Sequence, residues 1–408
     1  MRIAASARSR ASRSEVPRLT HTESRRLASV QTPVIPIIGQ WTRETPGTIS
    51  LGQGLVSYGP PPEAIDAVRH FGGSIADHHY GPLEGLPPLV DAIEDKLARE
   101  NGIQIRPSSR VVVTAGGNLA FMNAVLAVTD PGDEVIFPVP YYFNHEMAVT
   151  MAGARPVPVP TTRARQLDLD AIADAITERT RAVVTVSPNN PTGAVYPEAD
   201  LGAVNALCRD RGVFHIHDEV YEYFVDGKTP HFSPGSIEGA GRHTISLFSL
   251  SKAYGMASWR VGYMVIPEQL LEALLKIQDT ILICAASVSQ VAATAAMRVG
   301  RSYVDTYRTR LAAMRAKIGA ALHDPAVPCV VPPAAGAFYY FPTVSTGLDA
   351  MTLTERLIRD FRVAVVPGTA FGDAEACSIR VSYGALDEAT AEEGTSRLVR
   401  GLQALAVA

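Results

Sequence analysis

The segment Ser249-Leu-Ser-Lys252-Ala-Tyr-Gly-Met-Ala-Ser-Trp-Arg260 sets one lysine among small and apolar residues, directly after a β-branched run. Desolvation in such a place disfavours the ammonium form, lowers the pKa and leaves a nucleophilic amine. Ser249, three residues before the lysine, and Arg260, eight after it, are both suited to bind a phosphate, the arginine through its planar fork of donors. A lone lysine after a strand is more often an ordinary surface residue. The spacing of all three groups is what points to chemistry.

Five further segments sit at similar junctions. Ser187-Pro-Asn-Asn190-Pro-Thr-Gly193 follows a strand and has the composition of a simple turn. His217-Asp218-Glu-Val-Tyr221 ends another strand; its acid suits a cap, a metal ligand or the partner of a protonated pyridine nitrogen. Thr114-Ala-Gly116-Gly117-Asn118 joins strand to helix, where free amides bind phosphate, although a glycine pair also suits a tight turn. Pro140-Tyr-Tyr142-Phe-Asn-His145 offers an aromatic ring to a flat ligand or to the core. Leu51-Gly-Gln-Gly54-Leu-Val-Ser-Tyr58-Gly-Pro-Pro-Pro62 reads as a loop whose glycines let backbone approach a ligand, with Tyr58 near the opening.

These segments need elements to hold them. Short β-branched strands are predicted at 110–114, 134–137, 182–186, 213–217, 244–248 and 261–266, alternating with helices such as 118–128. That pattern predicts an α/β fold with a mainly parallel sheet covered on both faces, whose ligands gather at the carboxyl ends of the strands. From about residue 287 the periodicity predicts long helices to 323, then a smaller α+β unit with strands near 337–342, 364–367 and 379–383. The expected division is a disordered extension at 1–29, an arm and small-domain segment at 30–60, a large domain at 61–295 and a small domain at 296–408.

Composition bounds the answer. The 408 residues are 47% hydrophobic and 19% charged, which excludes disordered and fibrous classes. A net charge of -4 without a basic stripe gives no attraction to nucleic acid. Four scattered cysteines without a CxxC pair argue against zinc or a disulfide framework and for a reducing cytoplasm. No apolar run has membrane-spanning length. The first 26 residues carry seven arginines and two acids, a composition shared by transit peptides, disordered extensions and stretches behind an upstream start codon. The disordered extension is the expectation here.

Taken in order, the motifs resemble those of the fold-type I pyridoxal phosphate enzymes, specifically the class I/II aminotransferases, over residues 45–400. The resemblance implies a seven-stranded-type sheet and pyridoxal 5'-phosphate as cofactor. It implies that Lys252 forms the Schiff base and shuttles the Cα proton, and that Asp218 pairs with the pyridinium nitrogen. Asn190 and Tyr221 match the pair at the cofactor's phenolic oxygen, and Tyr142 the stacking aromatic. Gly116, Gly117, Asn118, Ser249 and Arg260 match the phosphate cradle. Tyr80, in His78-His-Tyr80-Gly-Pro-Leu-Glu-Gly85, matches a tyrosine that reaches the partner subunit's phosphate, which implies a homodimer. Arg380, in Ser378-Ile-Arg380-Val-Ser382, matches the clamp on the substrate carboxylate, and Gly54 lies in the loop that closes over substrate.

The same cofactor pocket serves other reactions. An enzyme of specialised metabolism that cyclises, eliminates or couples an amino acid would keep all these residues, and the stretch Val30–Gly39 is similar to such a subgroup. A non-catalytic regulatory domain is the third reading; retention of every catalytic position weighs against it. No second arginine is assignable to an acidic substrate side chain, which favours a neutral or aromatic donor. His217 either tunes Asp218 or packs beside it.

Overall fold

The computed structural model describes residues 23–105, 107–226 and 229–406. Seven strands build the main sheet: β1 (Ser109–Thr114), β2 (Glu134–Pro138), β3 (Arg155–Val159), β4 (Thr180–Val186), β5 (Phe214–Asp218), β6 (Thr244–Ser249) and β7 (Gly262–Pro267). Their order is β1-β7-β6-β5-β4-β2-β3. Only β7 runs antiparallel to its neighbours, so the carboxyl ends of the other six share one edge.

The strand β3 was not among those expected. Its sequence, Arg-Pro-Val-Pro-Val, removes two backbone donors, and proline is tolerated because β3 lies at the edge of the sheet with a single neighbour. The inner strands are continuous apolar runs because both faces are covered. Val112, Val135, Val184, Ile216, Leu247 and Met264 pack on one face with Phe121. Ile136 and Val183 pack on the other with Leu201 and Val204.

The chain's ends assemble a second unit. Helices Ser287–Val299 and Arg301–Leu322 are separated at Gly300, which takes φ 74°. An antiparallel sheet joins Tyr339–Tyr340, Ile379–Ser382 and Val366–Pro367. Ile49–Ser50 pairs in parallel with Val363–Ala364, so the amino-terminal segment is stitched to this unit. Helix α2 (Val34–Glu44) buries Val34 and Ile38 against Phe341, Ile358 and Phe371.

One expectation is corrected at the amino end. Arg25–Ser29, inside the segment expected to be a disordered extension, forms a short helix, α1. Ser24 caps it by accepting from the Leu27 amide, and Gln31 just beyond it donates to Glu146 at 3.0 Å. The rest of the arginine-rich segment, 1–22, lies outside the described residues.

A buried ion pair secures the turn after β5. Lys96 Nζ meets Glu222 Oε2 at 2.5 Å, with side-chain exposures of 3% and 11%, and lies over the Phe248 ring. Asn101 donates to the same carboxylate at 2.9 Å. Removing one partner leaves an uncompensated buried charge. Lys96→Ala is therefore expected to cost about 3–5 kcal/mol, read as a lowered denaturant midpoint.

Candidate active site

The ends of β1, β4, β5 and β6 open onto one cavity of about 500 Å³. That is within the usual range for a small-molecule site, roughly 300–1,000 Å³. Parallel strands deliver these loops to a common edge, which is why motifs 130 residues and more apart in the chain meet there. Gly117, Asn118, Tyr142, Asn190, Asp218, Tyr221, Ser249, Lys252, Arg260 and Arg380 all line it, together with Gly54.

One end is built for an anion. Helix α3 (Gly117–Val128) begins there and aims its free amides at the cavity. The Ser249 and Ser251 hydroxyls, 2.9 Å apart, and Arg260 stand beside it. Gly116 takes φ 86°, and a Cβ on it would lie 2.5 Å from Arg260 Nη2. A side chain here would therefore push the guanidinium out of the cradle as well as strain the backbone. Gly116→Ala is expected to weaken retention of pyridoxal phosphate about tenfold or more, read by equilibrium titration of the apoenzyme, since strain of this kind costs about 1–3 kcal/mol.

The middle of the cavity holds a carboxylate. On β5, alternation sends Ile216 and Asp218 to the face occupied by Phe121, and His215 and His217 to the other. Asp218 Oδ1 accepts from the Val220 amide at 3.0 Å, and its Oδ2 lies 3.2 Å from His145 Nε2. His145 comes from α4 (Phe143–Ala152), is stacked on Phe121 at 3.9 Å and meets Tyr142 edge-on at 5.1 Å. His145 carries no role on sequence grounds. Its place three residues after Tyr142, one helical turn on, was the available signal.

His217 does not tune Asp218 by contact. Its Nδ1 lies 2.6 Å from Thr185 Oγ1 on the opposite face of the sheet. Complete burial and the neighbouring His215 push its pKa well below the usual value, so it stays neutral.

Lys252 follows Ser249 on α5 (Leu250–Ala253), a single turn. Its Nζ donates to the Gly54 carbonyl at 2.5 Å. Burial, then the positive charges of Arg380 and Arg260, push its pKa down to about 8, against an opposing pull from Asp218. Gly54 is glycine for a visible reason: a Cβ would lie 2.8 Å from the Tyr339 hydroxyl.

Arg380, only 3% exposed, closes the far side. It donates to Asn190 Oδ1 at 2.9 Å and to the Gly52 carbonyl at 2.8 Å, and its Nε has no partner. It makes no ion pair among the described residues. Asn190 Nδ2 reaches the Tyr221 hydroxyl at 3.2 Å, which in turn lies 2.7 Å from that of Tyr339. Burial and Tyr339 raise the Tyr221 pKa, so its phenol keeps its proton as a donor. Tyr339, which also carries Arg380 over its ring at 4.8 Å, was missed by sequence reasoning, as was Ser251.

Tyr58 stands elsewhere than expected. It does not line the cavity; its hydroxyl turns away to the main chain behind Lys252. Its ring is stacked on Tyr307 rather than left at the opening. Tyr80, expected at a partner subunit's phosphate and not at this one, is outside the cavity and 81% exposed.

The sequence profile of the family described as "Aminotransferase class I and II" matches residues 46–398. The chain belongs to this family. This aminotransferase is 34% identical over 363 residues to an aspartate aminotransferase of Pyrococcus abyssi, covering 87% of this chain and 92% of that one. It is 35% identical over 391 residues to the aromatic aminotransferase ISS1 of Arabidopsis thaliana, covering 94% and 96%. Its fold matches a solved double mutant of Thermus thermophilus aspartate aminotransferase with a TM-score of 0.85 at 30% identity, over 94% of this chain and all of that one. The enzyme is thus an aminotransferase of fold type I, and the family implies pyridoxal phosphate. An anion cradle, a carboxylate and an amine of lowered pKa around one cavity fit that cofactor.

Proposed function

We propose that this aminotransferase transfers the amino group of a neutral or aromatic L-amino acid to a keto acid, with Lys252 moving the Cα proton. The observation that carries the reading is Arg380, a buried guanidinium without a carboxylate partner, on the same cavity as an amine of lowered pKa. A buried charge left unpaired is costly, so the site calls for an anionic ligand. The substrate carboxylate answers it, held by Arg380 and Asn190.

In this reading the amides of Gly117 and Asn118, with Ser249 and Arg260, anchor the cofactor phosphate, and Gly116 leaves them room. Asp218 keeps the ring nitrogen protonated, and His145 orients Asp218. Asn190 and Tyr221 donate toward the phenolic oxygen, and Tyr142 covers the ring. When bound, pyridoxal phosphate supplies the electron sink. Lys252, uncharged in an appreciable fraction near neutral pH, takes the proton from Cα and returns it.

The apolar part of the cavity lining supports the substrate class. Pro33, Ile35, Leu55 and Phe143 line it, and its cationic side chains are Lys252, Arg260 and Arg380, each already assigned. The test mixes holoenzyme with single amino acids and no acceptor. One equivalent of keto acid per site from an aromatic or aliphatic donor supports the reading. Sustained turnover without an acceptor, to a cyclised product or with release of ammonia by elimination, overturns it.

A lysine must lose its proton before it can attack. The rate at which apoenzyme captures pyridoxal phosphate is therefore expected to rise from pH 7 to 9, with its midpoint near the Lys252 value of about 8. Stopped-flow absorbance across that range checks it; a midpoint above 10 would show an unperturbed lysine.

We further propose a homodimer with shared sites. Ile75 and Tyr80 are exposed on one segment, and Ile281 and Leu282 at the end of the helix Leu271–Ile281. The two segments approach at Gly81, beside Cys284 and Ser287. A second copy covering this face would bring Tyr80 to the partner's phosphate. Grouping 30–60 with 296–408 as a small domain is supported by the pairing of Ile49–Ser50 with Val363–Ala364. Four free cysteines support a reducing, cytoplasmic setting, and no helix among the described residues is long and apolar enough to cross a membrane.

A further inference from the structure

The loop from Gly52 to Gly59 holds Lys252 at both ends. At one end the Gly54 carbonyl accepts from Nζ. At the other, the Tyr58 hydroxyl donates to the Lys252 main-chain carbonyl at 3.0 Å, with the Ala253 carbonyl 3.4 Å away. Helix α5 has four residues; ahead of it the Gly255 amide reaches the Lys252 carbonyl only at 3.4 Å, a long bond, and a single turn is unstable by itself.

Tyr58 is in turn held from outside the cavity. Its ring is stacked on Tyr307 at 3.8 Å and 10°, and meets Tyr303 edge-on at 6.0 Å. Both belong to α6 (Arg301–Leu322). The Tyr303 hydroxyl donates to the Gly59 carbonyl at 2.5 Å, and Arg310 donates to Ser57. The loop also lies tight on the segment after Lys252: a Cβ on Gly255, at φ 61°, would sit 2.6 Å from the Gly59 carbonyl oxygen.

We propose that Tyr58 is a positioning residue for Lys252: it completes the hydrogen bonding of the single-turn helix that bears the lysine and fixes that turn to α6 through the stack on Tyr307. Tyr58 touches neither cofactor nor substrate. It acts on where the amine stands, and proton transfer is sensitive to displacements of an ångström, which can cost about a hundredfold. The residues that receive the substrate carboxylate, Arg380 and Asn190, are bonded to each other and to Gly52, not to Tyr58. Losing the Tyr58 hydroxyl should therefore slow the proton step without weakening substrate binding.

The proposal rests on Lys252 being the proton carrier. Tyr58→Phe keeps the ring and removes the hydroxyl. It is expected to lower kcat about tenfold to a hundredfold, to leave KM within about twofold, and to raise the primary isotope effect with Cα-deuterated donor. Capture of pyridoxal phosphate by the apoenzyme should slow in step. Tyr307→Leu, which cannot touch the lysine, should move kcat and the isotope effect the same way. The double variant should be no slower than the worse single one, since the two act through one contact. Unchanged kcat in both variants overturns the proposal, as does a fall in kcat with an unchanged isotope effect. Lys252→Ala separates the two ideas: if it stays active the assignment of the lysine fails, and if it is inactive while Tyr58→Phe behaves as wild type only the positioning role fails.

Discussion

Lys252→Ala is expected to lower turnover about 10⁴-fold or more, because in the proposed mechanism one side chain serves as both nucleophile and proton carrier, and general-base catalysis alone contributes about 10²–10⁴. Lys96, Lys276 and Lys317 each make an ion pair with a glutamate. Lys252 makes none among the described residues, donates to a neutral carbonyl, and is pushed down to about 8 by burial and two guanidiniums. Among the described lysines it alone is prepared to react as an amine near neutral pH. Borohydride treatment of the holoenzyme followed by peptide mapping should place the cofactor on Lys252. Label on any other lysine, or an alanine variant that still turns over at a tenth of the wild-type rate, would end this assignment.

Asp218→Ala should cost about a thousandfold in kcat. The carboxylate is buried, its Oδ1 is held by the Val220 amide and its Oδ2 by His145. A charge pair at about 4 Å is worth about 4 kcal/mol at an effective dielectric of 20, and each 1.36 kcal/mol is tenfold in rate. In the proposed mechanism that interaction keeps the ring nitrogen protonated. His145→Phe preserves the stack on Phe121 and removes only the contact to Asp218, so its effect should be smaller, about tenfold, in line with other groups that orient a functional side chain. Steady-state rates at saturating cofactor separate these expectations. Equal losses in the two variants would mean that the contact with the ring, and not the charge of Asp218, is what matters.

Much of this enzyme was legible in the chain alone, for reasons of local chemistry. Strands buried on both faces must be short apolar runs, so six of seven announced themselves. The cavity residues sit after the parallel strands, and Arg260 just before the antiparallel β7, so the topology carries each such position to one edge. That is why Gly117, Asn118, Asn190, Asp218, Tyr221, Ser249, Lys252 and Arg260 were found from sequence and meet in one cavity. The edge strand β3 was hidden because its two prolines erase the propensity signal, and only the absence of a second neighbour makes them acceptable.

What the tertiary structure decided is which way side chains turn once several elements compete for them. Tyr58 lies four residues from a loop glycine of the cavity, yet Tyr307, nearly 250 positions later, captures its ring and sends its hydroxyl to the Lys252 carbonyl. His217 is adjacent to Asp218 in sequence and on the opposite face in space, because a strand alternates. His145 and Tyr339 reach the site only by packing: one through a stack on Phe121, the other through a hydroxyl pair with Tyr221. Local sequence sets the groups that can react and the strand ends that carry them. Their orientation is set by contacts between residues far apart in the chain, and no local pattern encodes those.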